Sequence, residues 1–255
     1  MLRNALSIIW VRGIGALKAD SENSYLGTLW WVLEPLLLTA LFYVAFSTGI
    51  RGNGSGSTFV YFLICGILPF KWSSSAITGS STSINSNLGI LSQFYLPKWI
   101  FPTAVNLSMF IRFMLVLPLI MAFLSFGGYA PGAAWIHLPL IVLCQLVLTL
   151  GLSYLTASLV PLIPDLKHLV SLSMTAVLFT AGIFFDIDTR PEHTQEILRL
   201  NPFASIIDAY RTVLLDNQPL SFAELLYPLL FGGIATLIGA AKLYLLDRYY
   251  LRVMT

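Results

Sequence analysis

The chain has 255 residues, of which 57% are hydrophobic and 10% are charged, with a formal net charge of +2. Soluble domains carry roughly 25% charged residues, so this composition excludes a soluble globule and predicts an integral membrane protein. The small net charge, without a basic run, gives no indication of a nucleic-acid surface.

The first 22 residues predict an amphipathic helix that lies in the headgroup plane. At 100° per residue, one arc is apolar: Leu2, Ala5, Leu6, Ile9, Trp10, Ala16 and Leu17. The opposite arc is polar: Arg3, Asn4, Ser7 and Lys18. Helices of this kind bind at the membrane interface. The alternative is a frayed terminus whose periodicity is accidental.

Six later segments are apolar and long enough, at about 20 residues, to cross roughly 30 Å of hydrocarbon. They are 32–50, 58–81, 101–126, 137–160, 168–187 and 223–245. Since lipid requires the backbone to satisfy its own hydrogen bonds, the predicted fold class is an all-α integral membrane protein with six transmembrane helices. We expect one transmembrane domain over 1–255, with the first five spans in 32–187.

The connection at 186–222 predicts short external helices, which either lean on the outer membrane face or dip into it. Prolines mark its breaks, and Ile206, Ile207, Tyr210 and Leu214 recur at helical spacing.

The distribution of Lys and Arg predicts that both termini are cytoplasmic. Eight would then lie inside: Arg3, Arg12, Lys18, Lys98, Lys167, Lys242, Arg248 and Arg252. Four would lie outside: Arg51, Arg190, Arg199 and Arg211. All of the last four except Arg51 belong to the long connection, where the rule has little weight.

The sequence offers no catalytic constellation. It has no G-x-x-x-x-G-K-[ST] phosphate loop, and His137, His168 and His193 lie in three separate connections. The acidic pair of Asp186 and Asp188 could serve a metal, but charges at this position more simply mark the end of a span. We therefore predict neither an enzyme nor a metal site in this chain.

Two cations lie within predicted spans. Lys71 is about 20 Å from the outer end of the second span and Arg112 about 16 Å from the inner end of the third, at 1.5 Å per residue. A charge at the bilayer centre costs about 2.5–3.5 kcal/mol, so both residues suggest an anionic solute. The alternatives are a structural pair with Glu34 and snorkelling to a headgroup.

The run "WSSSAITGSSTSINSN" after Lys71 is unusually rich in hydroxyls. Small polar residues allow helices to pack closely, and they can also line a wet path. Both interpretations stay open for Ser73, Ser74 and their neighbours.

The segment "NLGILSQFYLPKWIFP", Asn87 to Pro102, is a predicted cytoplasmic connection that is strongly apolar. An exposed apolar surface of this size marks a contact with a partner or with the membrane. The other internal connection, "PLIPDLKHL", is short enough to be a second contact.

Four motifs, in order along the chain, resemble ABC-transporter permeases that export cell-surface polysaccharides. They are "YLGTLWWVLEPLL" at the first span, "GILPFKW" in the second, "NLGILSQFYLPKWIFP" between spans, and "NPFASIIDAYR" before the last span. The resemblance is strongest to O-antigen (lipopolysaccharide) export permeases. Capsule and teichoic-acid exporters are near relatives and remain alternatives.

The resemblance implies a transport subunit of the bacterial inner membrane. Two copies would form the pore, and two copies of a separate cytoplasmic ATPase subunit would bind ATP and Mg, with no cofactor in this chain. The implied substrate is a polysaccharide on undecaprenyl diphosphate. The candidate path residues are Lys71, Arg112, Trp72, Phe70, Tyr61, Phe62, Ser73, Ser74, Arg12 and Glu34. The candidate ATPase-coupling residues are Asn87, Leu88, Leu91, Phe94, Tyr95, Pro97, Lys98, Asp165 and Lys167.

Glu34 has two interpretations. It could be a helix cap and anchor, near the positive end of the helix dipole and beside Trp30 and Trp31 in the interfacial belt. It could instead pair with a cation at the substrate entrance. Two rival classes also remain: an ATPase-independent secondary transporter, which predicts internal repeats, and a membrane-embedded glycosyl- or acyltransferase.

Overall fold

A computed structural model describes residues 2–22, 25–47, 56–247 and 249–250. The end of the first predicted span, 48–50, and three cations of the orientation argument, Arg51, Arg248 and Arg252, lie outside the described residues. The α-helices in these ranges are α1 (Leu2–Glu22), α2 (Trp30–Ser47), α3 (Gly56–Thr82), α4 (Leu88–Leu91), α5 (Ile100–Phe126), α6 (Leu138–Leu159), α7 (Leu166–Thr180), α8 (Glu192–Arg199), α9 (Pro202–Leu214) and α10 (Phe222–Leu245).

The predicted all-α membrane fold is confirmed. Among the described residues, five helical segments are long and apolar enough to cross a membrane: Gly27–Ala45, Thr58–Thr82, Ile100–Phe126, Ala133–Leu159 and Phe222–Leu245. The fifth of the six predicted spans corresponds to α7, a shorter apolar helix. We call the end of the bundle where α3 leads through α4 into α5 the α4 end, and the opposite end the α8 end.

The fifth predicted span is wrong in its C-terminal bound. It was expected to reach 187, but α7 ends at Thr180. Gly182 follows with a φ of +71°, a left-handed conformation that commonly ends helices because glycine has no Cβ to clash. Ala181, Ile183 and Phe184 stay buried beyond the turn. The apolar run therefore continues past the helix, and hydropathy alone could not place the boundary.

The connection between α7 and α10 dips into the bundle through α9. Nine of its 13 residues are buried, and α9 packs against α3, α6 and α10. Helix α8, in contrast, has no buried residue. Two arrangements were predicted for this connection. Helix α9 dips inward, as in one of them, whereas α8 lies on the surface of the bundle.

Helices α6 and α10 form the most extensive helix pair of the bundle. A Cβ on Gly232 would lie 2.5 Å from Leu148 Cα, and one on Gly239 would lie 2.6 Å from Tyr154 Cβ. Glycines of this kind allow two backbones to approach closely in a membrane. Both helices run from the α8 end to the α4 end, and this pair forms one wall of the bundle.

Helix α1 packs along α5. Its buried positions recur every four residues, at Ala5, Ile9, Gly13 and Leu17, and Ser108 Oγ donates a 3.0 Å hydrogen bond to the carbonyl of Gly13. The predicted apolar arc is thus confirmed in part. Its members Leu6 and Trp10 point away from α5 and are 63% and 58% exposed, so they form an outer apolar face.

Candidate transport and coupling sites

Four charged side chains meet where α1, α2, α3 and α5 come together. Glu34 bridges two cations: its Oε1 lies 2.6 Å from Lys71 Nζ, and its Oε2 lies 3.3 Å from Arg112 Nη2. Arg112 Nη1 also lies 3.4 Å from Asp20 Oδ2, which accepts a 3.2 Å hydrogen bond from Trp31 Nε1. We call Asp20, Glu34, Lys71 and Arg112 the charge cluster.

The charge cluster lies about halfway along the bundle. Lys71 is the sixteenth of 27 residues in α3, and Arg112 is the thirteenth of 27 in α5. The structure therefore brings the two predicted intramembrane cations to one level. Two carboxylates balance them, so the cluster is formally neutral.

The position of Glu34 corrects the cap interpretation. Helix α2 starts at Trp30, so Glu34 is its fifth residue, and both carboxylate oxygens are directed to cations on other helices. The pairing alternative is the one observed. Glu34 is half-buried, and a charge that is partly removed from water is stabilised by a partner of opposite sign.

An open groove of about 300 Å³ lies between α2, α3 and α7. Its polar lining comes from two helices: Lys71, Ser74, Ser75 and Thr78 on α3, and Ser171 and Thr175 on α7. Its apolar lining includes Phe42, Phe70 and Met174. Lys71 also lines a smaller cavity that contains Glu34 and Arg112. The lysine thus connects the charge cluster to the hydroxyl-lined groove.

The hydroxyls of the run on α3 lie on different faces of the helix, some in packing contacts and some along the groove. Ser73 is fully buried and lies 2.8 Å from Thr149 Oγ1. Gln145 donates to Ser73 Oγ at 2.8 Å and accepts from Tyr210 at 2.9 Å. Ser73 therefore joins a packing network among α3, α6 and α9 and does not line the groove, whereas Ser74 does.

The predicted aromatic path residues are placed in different environments. Tyr61 packs against Phe123 and Tyr129 towards the α8 end. Trp72 is stacked on Phe113 with ring centroids 4.5 Å apart. Of the four candidates Tyr61, Phe62, Phe70 and Trp72, Phe70 lines the groove and Trp72 the smaller cavity.

Phe62 belongs to a site that the sequence analysis did not assign. The Arg211 guanidinium carbon lies 3.4 Å from the Phe62 ring centroid, and Arg211 donates to the carbonyls of Gly182 at 2.8 Å and Ile183 at 2.9 Å. Arg211 also donates to the Phe62 carbonyl at 3.3 Å. This buried arginine fastens α3 and the turn after α7 to α9. The local sequence could not predict this role of Arg211, because its acceptors are backbone carbonyls of distant residues.

Arg12 contacts the predicted coupling segment instead of the charge cluster. Its guanidinium donates to Asn87 Oδ1 and lies 4.9 Å from the Phe101 ring centroid. Asn87 Nδ2 in turn donates to the Ser83 carbonyl at 2.6 Å. Arg12 therefore ties α1 to the start of the coupling segment.

The far end of the coupling segment is held by the residues after α10. Asp247 Oδ1 accepts a 3.1 Å hydrogen bond from the Lys98 backbone N–H and lies 3.5 Å from Lys98 Nζ. Asp247 Oδ2 accepts from the Tyr95 hydroxyl. Lys98 is fully buried, and its ammonium lies 5.0 Å from the Tyr95 ring centroid. We call Tyr95, Lys98 and Asp247 the clamp.

Tyr250 ties the residues after α10 to the end of α6. Its hydroxyl donates a 2.9 Å hydrogen bond to the carbonyl of Ser158 at the end of α6. Burial, with the nearby Asp247 carboxylate, raises the pKa of Tyr250 to about 12, so the hydroxyl keeps its proton. Neither Asp247 nor Tyr250 was among the predicted site residues, since nothing in their local sequence indicates these distant contacts.

The coupling segment presents an apolar surface to its surroundings. Ile90, Phe94 and Tyr95 are 41%, 66% and 67% exposed, and we call these three residues the coupling surface. Of the other predicted coupling residues, Leu91 is buried, and Leu88 and Pro97 are half-buried. Asp165, just before α7, and Lys167, the second residue of α7, are exposed.

Comparison with known proteins defines the class. Residues 9–215, from α1 to the end of α9, match the ABC-2 type transporter family. Because this match covers most of the chain, the protein belongs to that family and is a multi-pass transport subunit.

Within this family, the chain is similar to permeases of polysaccharide export. The chain is 30% identical to the O-antigen export system permease protein RfbA of Klebsiella pneumoniae over 88% of this chain and 85% of that protein. It is 29% identical to RfbA of Myxococcus xanthus over 89% and 87% of the two chains. It is 20% identical to the polysialic acid transport protein KpsM of Escherichia coli over 85% and 84%. The predicted resemblance to O-antigen export permeases is confirmed.

Proposed function

We propose that this chain is the transmembrane subunit of an ATP-driven exporter that moves undecaprenyl-diphosphate-linked polysaccharide of the O-antigen type across the bacterial inner membrane. The observation that carries the proposal is the similarity to O-antigen export permeases over nearly nine-tenths of the chain. A capsule or teichoic-acid substrate is the second candidate. The lower identity to the polysialic acid transporter supports it less.

The proposed assembly contains two copies of this chain and two copies of a cytoplasmic ATPase subunit that holds ATP and Mg. Both termini are then cytoplasmic, and the α4 end faces the ATPase. The coupling surface fits this role because Phe94 and Tyr95 are exposed aromatic side chains, and buried aromatic anchors contribute much of the energy of protein interfaces.

The proposed substrate site is the hydroxyl-lined groove with Lys71 at its edge. Lys71 and Arg112 attract the diphosphate, and Ser74 and the hydroxyls of α7 face the groove through which sugar or phosphate groups pass. A cation attracts an anion more strongly where both are partly removed from water, so the position of Lys71 and Arg112 halfway along the bundle strengthens the attraction.

The test of the proposed function is ATP hydrolysis by the chain copurified with the ATPase encoded beside it and reconstituted in lipid. We expect a stable complex whose hydrolysis rises when lipid-linked glycan is added. Lys71→Ala should lower the stimulated rate severalfold without loss of assembly. Lys242→Ala, a change of the same kind near the end of α10 and outside the groove, should leave it unchanged.

Two results would contradict the proposal. A chain that purifies alone and transports without ATP would be a secondary transporter. A complex that hydrolyses ATP but responds to a capsule or teichoic-acid precursor and not to an O-antigen precursor would move the substrate to the second candidate.

A further inference from the structure

We propose that Glu34 is a displaceable counter-ion. In the substrate-free protein its carboxylate occupies the anion site formed by Lys71 and Arg112, and the diphosphate of an incoming lipid takes its place. This inference rests on the proposed function, because it assigns a ligand to the same groove.

The geometry of Glu34 is that of an anion bound between two cations. Each of its two oxygens contacts a different cation, at 2.6 Å for Lys71 and 3.3 Å for Arg112. The three side chains come from three helices, α2, α3 and α5. A phosphate also presents several oxygens to neighbouring cations, so it can bridge the same two groups.

Electrostatics favours the occupied state. Lys71 and Arg112 lie halfway along the bundle with only 38% and 23% of their side chains exposed, and an unpaired charge that is partly removed from water is costly. Glu34 is the only carboxylate paired with Lys71 in the part of the chain that the structure describes, whereas Arg112 also retains Asp20. A cation pair that receives an anionic ligand is therefore stabilised by a resident anion when the ligand is absent.

The site is open on the side from which a ligand would arrive. The side chains of Lys71 and Glu34 are 38% and 39% exposed, and Lys71 borders the groove of about 300 Å³. Ser74, Ser75 and Ser171 place further hydroxyl donors along that groove. A diphosphate has more acceptor oxygens than a carboxylate and can use these donors as well as the two cations.

A static role for Glu34 makes the opposite prediction. If Glu34 only holds α2, α3 and α5 together, its removal loosens the cation site and weakens anion binding. If Glu34 competes with the ligand, its removal strengthens anion binding. The sign of the change in affinity therefore separates the two roles.

The experiment measures binding of undecaprenyl diphosphate, without a glycan, to the complete complex with its ATPase in lipid nanodiscs. We expect Glu34→Gln to bind it at least threefold more tightly than the wild type, with no change for undecaprenol. Glu34→Asp, which is one methylene shorter and cannot reach both cations equally, should show a smaller rise. Lys71→Ala should bind severalfold more weakly.

The control is Glu22→Gln, which removes one carboxylate from α1 outside the charge cluster, where Glu22 pairs with the exposed Lys18; its affinity should equal that of the wild type. Unchanged or weaker binding by Glu34→Gln overturns the inference. If Glu34→Gln does not assemble, Glu34→Asp replaces it, and unchanged or weaker binding by Glu34→Asp then overturns the inference.

Failure of the inference is distinguishable from failure of the proposed function. Hydrolysis stimulated by lipid-linked glycan, with no tighter binding by Glu34→Gln, overturns the inference alone. Tighter binding of the bare lipid diphosphate, with no response of hydrolysis to any lipid-linked glycan, overturns the proposed function alone.

Discussion

Arg211 shows how a buried cation can be stabilised without a carboxylate. Its guanidinium donates to three backbone carbonyls, from Phe62, Gly182 and Ile183, and stacks on an aromatic ring. Two of these carbonyls directly follow the C-terminus of α7, where the helix dipole is negative. Arg211 thus satisfies carbonyls of the turn that follows α7.

Replacing Arg211 should therefore destabilise the protein. Hydrogen bonds to charged groups contribute about 1.5–3 kcal/mol each, so Arg211→Leu should lower the midpoint of thermal unfolding in detergent strongly. Arg211→Lys should be intermediate, because an ammonium lacks the planar fork that reaches several acceptors at once.

Arg199→Leu is the matched control for this measurement. Arg199 lies in the same connection and pairs with Asp188, but both side chains are mostly exposed. Exposed pairs contribute about 0–1 kcal/mol, so this variant should unfold near the wild-type temperature. An equal loss in the two variants would show that the carbonyl contacts of Arg211 are not its stabilising feature.

The sequence indicated the charged residues of the candidate site because charges within apolar segments are rare. Lys71 and Arg112 were predicted on that ground, and the alternative in which they pair with Glu34 was already open. Asp247 could not be found in this way, since it follows the last span, where charged residues are expected. Its contact with Lys98 joins two segments 149 residues apart, and no local pattern records such a contact.

At the scale of helices, the close contact of α6 and α10 depends on particular glycines. A Cβ at Gly232 would meet the backbone of Leu148 at 2.5 Å, whereas a Cβ at Gly233, the next residue, would meet nothing within 4 Å. Gly232 and Gly233 therefore lie in the same helix, but only Gly232 is in close contact with α6.

Gly232→Ala should destabilise the protein by about 1–3 kcal/mol, as expected when a well-packed contact is overfilled. Gly233→Ala should be neutral or stabilising by up to about 1 kcal/mol, because alanine favours helix more than glycine does. Thermal unfolding of the two variants measures both effects. A similar change in both variants would mean that the close contact of Gly232 with α6 does not decide the outcome.

The clamp predicts that the end of α10 positions the coupling segment. Asp247→Asn removes the charge that compensates the buried Lys98, so residues 85–99 should exchange backbone hydrogens faster. The ratio of glycan-stimulated to basal ATP hydrolysis should fall at least twofold, while the ATPase subunit stays bound.

Glu224→Gln provides the comparison for this prediction, since Glu224 is an exposed acidic residue in the first turn of the same helix. It should change neither hydrogen exchange in 85–99 nor the hydrolysis ratio. If Asp247→Asn leaves both measurements unchanged, the clamp has no part in coupling.

Helix existence was easier to predict from sequence than helix limits. The apolar segments are long, so each predicted span has a corresponding helix. The bounds of α7 could not be predicted because apolar residues continue through the turn at Gly182, and the insertion of α9 depends on partners from α3, α6 and α10. The first feature depends on a turn within an apolar run and the second on tertiary contacts, and neither follows from hydropathy.

At the scale of the whole molecule, both ends of the described chain approach the α4 end. Arg12 contacts Asn87, and Asp247 contacts Tyr95 and Lys98. The distribution of Lys and Arg predicts that this end is cytoplasmic, with α8 on the opposite side.

This topology can be tested with single cysteines. Cys65 and Cys144 are buried and can be replaced by serine to give a background without accessible thiols. On that background, a membrane-impermeant maleimide should label Glu196→Cys in intact spheroplasts. Gln93→Cys should react only after lysis. The reverse pattern would invert the orientation and place the coupling surface on the side without ATP.

The early end of α7 has a consequence for the surrounding lipid. Its 15 residues span about 22 Å, whereas the 27 residues of α3 or of α5 span about 40 Å at 1.5 Å per residue. A bilayer accommodates a short apolar helix by becoming locally thinner. We therefore expect the membrane to be thinner beside α7, on the side where Ser171 and Thr175 face the groove, so that a polar headgroup would have a shorter hydrophobic distance to cross there.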